Sequence, residues 1–260
     1  MFGTVILDAY TLAETKDLAY AIDDLCSPND SYGWASAGIY SFWDYNTHEV
    51  LYIGLASDLA IRFQQHNGLL SMPEEGCKYA HIQEYFTSHE KLGYTIFVQS
   101  PFSQPMVHRN KELFQKMAAE HNSTIQDYVS DQGITDIKRV EGILIESFNK
   151  YYGRLPAWNK VGGSIEGQRH VMPNNINIVK SFSETQLYAA NPIVSRSTIR
   201  ELSNNSMYEG FESFLHSVRI YMLIFGMDYS DALTFANSMD SFGWYQKMSD
   251  AGYLEKPLVL

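Results

Sequence analysis

Short apolar runs, separated by clusters of turn-forming residues, set the pattern of the first hundred positions. The runs AGIYSFW at 37–43 and EVLYIGLA at 49–56 are rich in aromatic and β-branched residues, and the connection DYNTH at 44–48 suits a hairpin. A third run, YTIFVQ at 94–99, has the same composition. These runs predict a small sheet of three strands with mostly antiparallel pairing.

Helical spacing, with apolar residues three or four positions apart, occupies much of the remaining chain. It predicts helices at 11–25, 58–67, about 106–130, about 135–152, 209–225 and 229–239. Ser57 suits the N-cap of the second of these helices, and Asp58 suits its first turn. The sequence therefore predicts an α+β fold in which helices flank a small sheet and the C-terminal region is helical.

The order of these elements predicts three parts of the chain. Residues 1–34 are expected to form an N-terminal helical extension, and residues 35–170 a mixed domain of strands and helices. The polar stretch VMPNNINIVK at 171–180 marks a boundary, after which residues 171–260 form a helical region. A length of 260 residues fits one large domain or two small ones.

Composition indicates an ordinary soluble protein, with 45% hydrophobic and 19% charged residues. Two cysteines, Cys26 and Cys77, are too few for a disulfide scaffold or a zinc site and are read as reduced thiols. No run of the sequence approaches the roughly 18 apolar residues of a membrane span, and the N-terminus lacks the basic start of a signal peptide. We expect a cytoplasmic protein without a membrane partner.

Charge is distributed unevenly along the chain, whose formal net charge is −11. Residues 1–90 carry 13 acids against 3 bases, and residues 201–260 carry 8 acids against 3 bases. Between them, residues 138–200 carry 9 bases against 4 acids, a net charge of +5. An acidic protein is a poor partner for nucleic acid overall, so this basic segment is the expected contact with phosphate groups.

Two tripeptides on the predicted hairpin, followed by four polar residues further along, form an ordered set. In chain order the set is Gly38-Ile39-Tyr40, Tyr52-Ile53-Gly54, Arg62, His66, Glu141 and Asn159. Arg62 and His66 stand at positions i and i+4, so both project from one helix face. Each member alone is ordinary, but the set resembles the signature of the GIY-YIG endonuclease superfamily over roughly residues 37–160.

The resemblance implies a GIY-YIG nuclease-like fold and a metal-dependent endonuclease that hydrolyses DNA phosphodiester bonds. It implies one Mg²⁺ (or Mn²⁺) ion held by Glu141, and an arginine that binds the phosphate. The implied catalytic residues are Tyr40, Tyr52, Arg62, His66, Glu141 and Asn159. In the family the tyrosine of the first motif contacts the attacking water, and the resemblance implies that role for Tyr40. Because the pKa of histidine is ordinarily near neutral, His66 is expected either to receive the tyrosine's proton or to bind the phosphate.

The position of Glu141 is unusual even without reference to the family. On a helix over 137–152 it shares a stripe with Ile137, Leu144 and Phe148. A carboxylate in such a stripe is costly to bury unless a cation or a hydrogen-bond network meets it. Either a metal ion or a purely structural ion pair with Arg62 satisfies that requirement.

Basic residues near Glu141 and Asn159 are the predicted nucleic-acid contacts. They are Lys138, Arg139, Lys150, Arg154, Lys160 and Arg169.

The helix within FESFLHSVRIYMLIFGM at 211–227 is apolar on more than one face and must be covered. We expect it to pack on its own chain, or to join a homodimer or a partner protein.

Two other functions are compatible with this sequence. The chain could be a catalytically inactive nucleic-acid-binding or assembly subunit that retains the nuclease fold. It could also be an enzyme of another class in which Glu141 is the acid or base and the tyrosines are structural. The sequence leaves open the preferred DNA sequence or structure, the choice between DNA and RNA, and the oligomeric state.

Overall fold

A computed structural model describes residues 2–26, 35–71, 77–100, 111–124, 131–185 and 192–260. Its sheet contains the strands β1 (Phe2–Thr11), β2 (Gly38–Asp44), β3 (Val50–Ala56) and β4 (Lys91–Gln99). The strand order is β1-β4-β2-β3, and every pairing is antiparallel. The α+β class is therefore confirmed, whereas the expected number of strands was wrong, because the described sheet has four strands and not three.

The additional strand is β1, which lies in the segment that we assigned to a helical extension. It pairs with β4 along its length, and almost every residue in it is buried. Asp8, which interrupts its apolar run, accepts hydrogen bonds from the Arg200 guanidinium at 2.8 Å. The sequence pattern concealed this strand because the cation that neutralises Asp8 is 192 positions away.

Helices of the described residues surround this sheet. They are α1 (Thr15–Leu25), α2 (Leu59–His66), α3 (Tyr79–Phe86), α4 (Lys111–Glu120), α5 (Asp131–Tyr152), α6 (Ile165–Arg169), α7 (Asn175–Ser181), α8 (Ile199–Ser203), α9 (Ser206–Phe225), α10 (Tyr229–Ser238) and α11 (Trp244–Asp250).

The predicted helices differ from these in three details. The N-cap of α2 is Asp58 rather than Ser57, since its carboxylate accepts the Ile61 amide hydrogen at 2.9 Å. Helices α3 and α6 were not predicted, and α7, α8 and α11 lie in the C-terminal region, which was predicted to be helical without these individual helices. For the predicted helix at 106–130, the structure describes α4, while residues 106–110 and 125–130 lie outside the described part of the chain.

Apolar side chains cover both faces of the sheet. One face packs on α1, α2, α3 and α8, with Phe42, Phe63 and Leu202 among its buried residues. The other face packs on α5 and α7 through Phe148 and Val179. Strand β3 is at the edge of the sheet, so groups from both faces can meet there.

The C-terminal helices continue the same packing. Helix α9 lies against β1, and its residues Phe211, Leu215 and Val218 are buried with α10 and α11. Most of the apolar helix is thus covered by its own chain, whereas Leu223 and Phe225 at its end are exposed. Among the described residues, no helix has the length and hydrophobicity to cross a membrane.

Candidate functional site

The two motif tyrosines meet across the β2–β3 pair. Tyr40 is opposite Gly54 in the register, and the ring centroids of Tyr40 and Tyr52 are 5.7 Å apart. A Cβ atom on Gly54 would be 2.8 Å from the Tyr40 hydroxyl and 2.6 Å from the Tyr52 ring. Position 54 therefore needs glycine, because any side chain there would displace the tyrosine pair.

His66 binds Tyr40 from the last turn of α2. Its Nε2 atom is 2.6 Å from the Tyr40 hydroxyl oxygen, and its Nδ1 atom accepts the Lys78 backbone amide hydrogen at 3.0 Å. Burial, followed by the positive charges of Arg62 and Lys78, lowers the pKa of His66 to about 3. His66 is consequently neutral at physiological pH.

Arg62 is on α2 one turn before His66 and is partly exposed. Burial raises the pKa of both motif tyrosines, and the Arg62 charge acts in the opposite direction on both of them. Arg62 is therefore close enough to Tyr40 and Tyr52 to favour negative charge on either phenol. Its guanidinium is also the group best suited to a phosphate oxygen.

Glu141 reaches the same place from the other face of the sheet. It is partly buried on α5, and its carboxylate accepts a hydrogen bond from the Leu55 backbone amide on β3. Burial raises its pKa to about 7, against the smaller opposing effect of that hydrogen bond. The charge of Glu141 in turn raises the pKa of Tyr52, which places the two side chains close together.

Asn159 occupies the open edge of β3. Its side-chain amide donates to the Ile53 carbonyl at 2.8 Å and accepts the Ile53 amide hydrogen at 2.9 Å. The neighbouring Trp158 amide donates to the Leu51 carbonyl at 2.8 Å. Asn159 thus holds the Tyr52-Ile53-Gly54 backbone in place. These contacts make it a positioning residue.

Together these side chains form a cluster that we call the tyrosine site, consisting of Tyr40, Tyr52, Arg62, His66 and Glu141. Three alternate residues on the edge of β3, namely Leu51, Ile53 and Leu55, bind Trp158, Asn159 and Glu141 through their backbone. The edge strand therefore aligns the carboxylate from one face with the phenols on the other. This juxtaposition is the geometric feature that the sequence motif alone did not show.

Lys78 belongs to the tyrosine site but was missed in the sequence. It is only 7% exposed, and its ammonium group is 4.6 Å from the centroid of the Tyr52 ring. Burial and the nearby charge of Lys160 lower the pKa of Lys78. Within the described chain no carboxylate forms an ion pair with either lysine. No local sequence signal marks Lys78, because it follows a Gly- and Pro-containing loop and not a motif.

The structure separates the six predicted nucleic-acid contacts into groups. Lys160 is near Lys78, at the tyrosine site. Arg154, Lys150 and Arg139 each form an ion pair within their own chain, with Glu49, Glu146 and Glu166 respectively. Lys138 and Arg169 are exposed. Lys138 and Lys150 are 12 residues apart on α5, roughly 18 Å along the helix axis.

A metal ion at this site would have one protein carboxylate. The described residues contain no group of three or more His, Cys, Asp or Glu arranged around a common point. Gly163, with φ of +70°, packs closely on α5, since a Cβ atom there would be 3.1 Å from Gly142 Cα and 3.3 Å from Glu141 Oε2. A partly buried carboxylate with a raised pKa fits a hard divalent cation, which keeps several waters when bound.

Comparison of the chain with protein-family models, curated proteins and solved structures finds no match to any of them. The case for a function therefore depends on the motif residues and on the geometry of the tyrosine site.

Proposed function

We propose that this protein is a metal-dependent endonuclease of the GIY-YIG type that hydrolyses DNA phosphodiester bonds. The observation that carries the proposal is the meeting of Glu141 with Tyr40, Tyr52, Arg62 and His66 around one sheet edge. These residues are separated by up to 101 positions in the chain, and they follow the sequence order of the superfamily signature. In the fold they lie close together.

Positive charge at the site suits a phosphodiester. Arg62 and Lys78 lie beside the tyrosines, and Lys160 is near Lys78. Two neighbouring lysines without a carboxylate partner in the described chain repel one another, and an anion between them would relieve that repulsion. These cations would bind the scissile phosphate and stabilise the charge that develops on it during cleavage.

Glu141 would hold Mg²⁺ (or Mn²⁺) as the single acidic ligand. When bound, such an ion polarises the phosphate and stabilises developing negative charge. In this chain Glu141 supplies a carboxylate whose pKa of about 7 falls when a cation replaces the proton, so binding and proton release are coupled. Mg²⁺ is commonly bound through one or two carboxylates together with waters and substrate phosphate.

DNA binding by this chain should depend strongly on the divalent ion. The net charge of −11 repels a polyanion at long range. A divalent ion screens that repulsion and links the protein carboxylate to the DNA phosphate. We therefore propose modest intrinsic affinity for duplex or structured DNA. Pairing of two copies or docking of a partner protein through the exposed end of α9 also stays a proposal.

Cleavage of supercoiled plasmid tests the proposed function. The wild-type protein is expected to nick plasmid in millimolar Mg²⁺ or Mn²⁺ and to stop when a chelator is added. Glu141→Gln is expected to lose this activity, since it removes the metal ligand but keeps the side-chain shape.

A matched control is available on the same helix. Glu146 forms an ion pair with Lys150 and accepts a hydrogen bond from the Asn149 side chain, and neither contact involves the tyrosine site. Glu146→Gln is expected to cut at the wild-type rate. DNA binding without cleavage in all three proteins would favour the inactive nucleic-acid-binding subunit, and equal activity of wild type and Glu141→Gln would contradict the assigned site.

A further inference from the structure

The hydrogen bonds of His66 determine where its proton is. A backbone amide only donates, so the Lys78 N–H at 3.0 Å requires an unprotonated Nδ1 atom on His66. A neutral imidazole carries one proton, which must then be on Nε2. The Nε2 atom is 2.6 Å from the Tyr40 hydroxyl oxygen, so the ring donates to Tyr40 there.

The same hydrogen bond orients the first tyrosine. Because Tyr40 accepts a hydrogen bond from His66, its own hydroxyl hydrogen is available to another acceptor. Its ring centroid is 5.7 Å from that of Tyr52. A chain of hydrogen bonds thus runs from the Lys78 amide through His66 to Tyr40, beside Tyr52.

We propose that His66 is a positioning residue, a neutral imidazole whose Nε2–H fixes the Tyr40 hydroxyl, and that Lys78 sets its tautomer through the backbone amide. The assignment of this role in cleavage rests on the proposed function. His66 has no nitrogen available to accept the Tyr40 proton, and it carries no charge with which to bind phosphate. This positioning role therefore takes the place of the two roles that were expected for His66 from the sequence.

Burial and charge support a permanently neutral ring. His66 is fully buried, and the charged groups that act on it, Arg62 and Lys78, are both cations that disfavour imidazolium. The aromatic rings of Tyr40, Tyr52 and Phe42 surround it at centroid distances of 5.5 to 6.2 Å. A ring in such surroundings stays neutral near physiological pH and keeps the tautomer that its hydrogen bonds require.

The tautomer is measurable without any cleavage assay. Nitrogen-15 NMR of the imidazole in the full chain separates the Nε2–H form from the Nδ1–H form and from imidazolium. We expect the Nε2–H form at every pH from 5 to 8. A charged ring or an Nδ1–H ring at pH 7 would overturn the proposal, whether or not the protein is a nuclease.

Glutamine tests the positioning role, because its amide carries an acceptor oxygen and a donor nitrogen with a spacing close to that of Nδ1 and Nε2. His66→Gln is expected to keep at least about a tenth of the wild-type cleavage rate, since loss of a true general base costs about 100-fold or more. His66→Leu, which lacks both groups, is expected to be at least about tenfold slower than His66→Gln.

The two variants distinguish a neutral hydrogen-bond donor from a general base and from a side chain that only fills space. Rescue by glutamine but not by leucine supports a neutral donor, which a merely space-filling role would not produce. A His66→Gln protein below a tenth of the wild-type rate, or one equal to His66→Leu, contradicts the proposal. If the wild-type protein does not cut DNA, the proposed function fails while the NMR result still decides the tautomer.

Discussion

Two buried polar clusters of this protein differ in how completely their groups are satisfied. The first, which we call the Glu212 cluster, consists of Thr4, Glu212, Arg219 and Tyr253 and joins α9 to β1. Arg219 is 2.8 Å from Glu212 Oε2, and it also donates to Thr4 Oγ1 at 2.9 Å. Glu212 Oε1 accepts from the Tyr253 hydroxyl at 3.0 Å.

The tyrosine site has the opposite character. Glu141 receives one described hydrogen bond, from Leu55, and its pKa is raised to about 7. Lys78 is buried beside Lys160 without a carboxylate partner in the described chain, and its pKa is lowered by burial first and by Lys160 second. The surroundings therefore destabilise the charged form of each group. A cation bound at Glu141 and a phosphate bound at Lys78 would stabilise those charged forms.

Charged residues of the Glu212 cluster and of the tyrosine site therefore differ in whether they could still bind a ligand. A carboxylate and a guanidinium that satisfy one another completely have no remaining capacity for a ligand. Perturbed groups left with unsatisfied charge at an accessible edge are candidates for a functional site.

Glu212→Gln is expected to destabilise the protein by about 3–5 kcal/mol, because it leaves the Arg219 charge buried without its partner. Chemical denaturation with urea measures this as a lower free energy of unfolding. Glu209→Gln, in the first turn of the same helix, is the control and is expected to cost less than about 1 kcal/mol. Equal stability of the two variants would show that the Glu212 cluster does not support the fold.

Glu141→Gln is expected to reduce the nicking rate at least about 100-fold, a loss of about 2.7 kcal/mol of transition-state stabilisation. The reason is that the amide no longer binds the divalent ion. Plasmid nicking at saturating Mg²⁺ measures the rate. Recovery of the activity at higher Mg²⁺ would instead indicate that Glu141 tunes ion affinity without being required as a ligand.

The same substitution is expected to stabilise the metal-free protein at high pH only. A folded pKa of about 7, above the ordinary value of 4.5, means that stability is fully present below pH 4.5 and falls as pH rises through 7. Glutamine lacks this ionisation, so Glu141→Gln should gain about 1–3 kcal/mol at pH 8 and nothing at pH 4.5. Denaturation in chelator at both pH values measures it, and a gain that is independent of pH would contradict the raised pKa.

Lys78→Ala combined with Lys160→Ala is expected to have the smallest effect, a several-fold weaker binding of duplex DNA. Each lost phosphate contact should reduce the slope of log affinity against log salt by about 0.9. Fluorescence anisotropy at several salt concentrations measures both quantities, with Lys247→Ala on α11 as the control. An unchanged salt slope would remove the two lysines from the DNA contact.

The sequence was most informative where local patterns decide the structure. The hairpin that carries Tyr40 and Tyr52 was predicted within one or two residues, because turn-forming residues separate two apolar runs. Strand β1 was missed because Asp8 is stabilised by Arg200, a partner that no local pattern reveals. A local sequence pattern does not predict a buried strand when the residue that neutralises its charged side chain is distant in the sequence.

The candidate site was predictable in its members but not in its chemistry. The motif named Glu141 and His66, whereas their altered pKa values follow from burial, which a sequence does not give. Lys78 lacked a signal altogether, since its importance comes from the fold placing it over the Tyr52 ring. The direction of the hydrogen bonds around His66 likewise required the position of one backbone amide.

The central claim is that Glu141 serves catalysis while Glu212 serves stability. The most direct test is the nicking rate per folded molecule of Glu141→Gln and Glu212→Gln, measured in Mg²⁺ with the folded fraction determined in the same samples. We expect Glu212→Gln to cut at the wild-type rate per folded molecule, whereas Glu141→Gln is expected to be fully folded and inactive. Equal specific rates for the two variants, or loss of cleavage in folded Glu212→Gln alone, would contradict the claim.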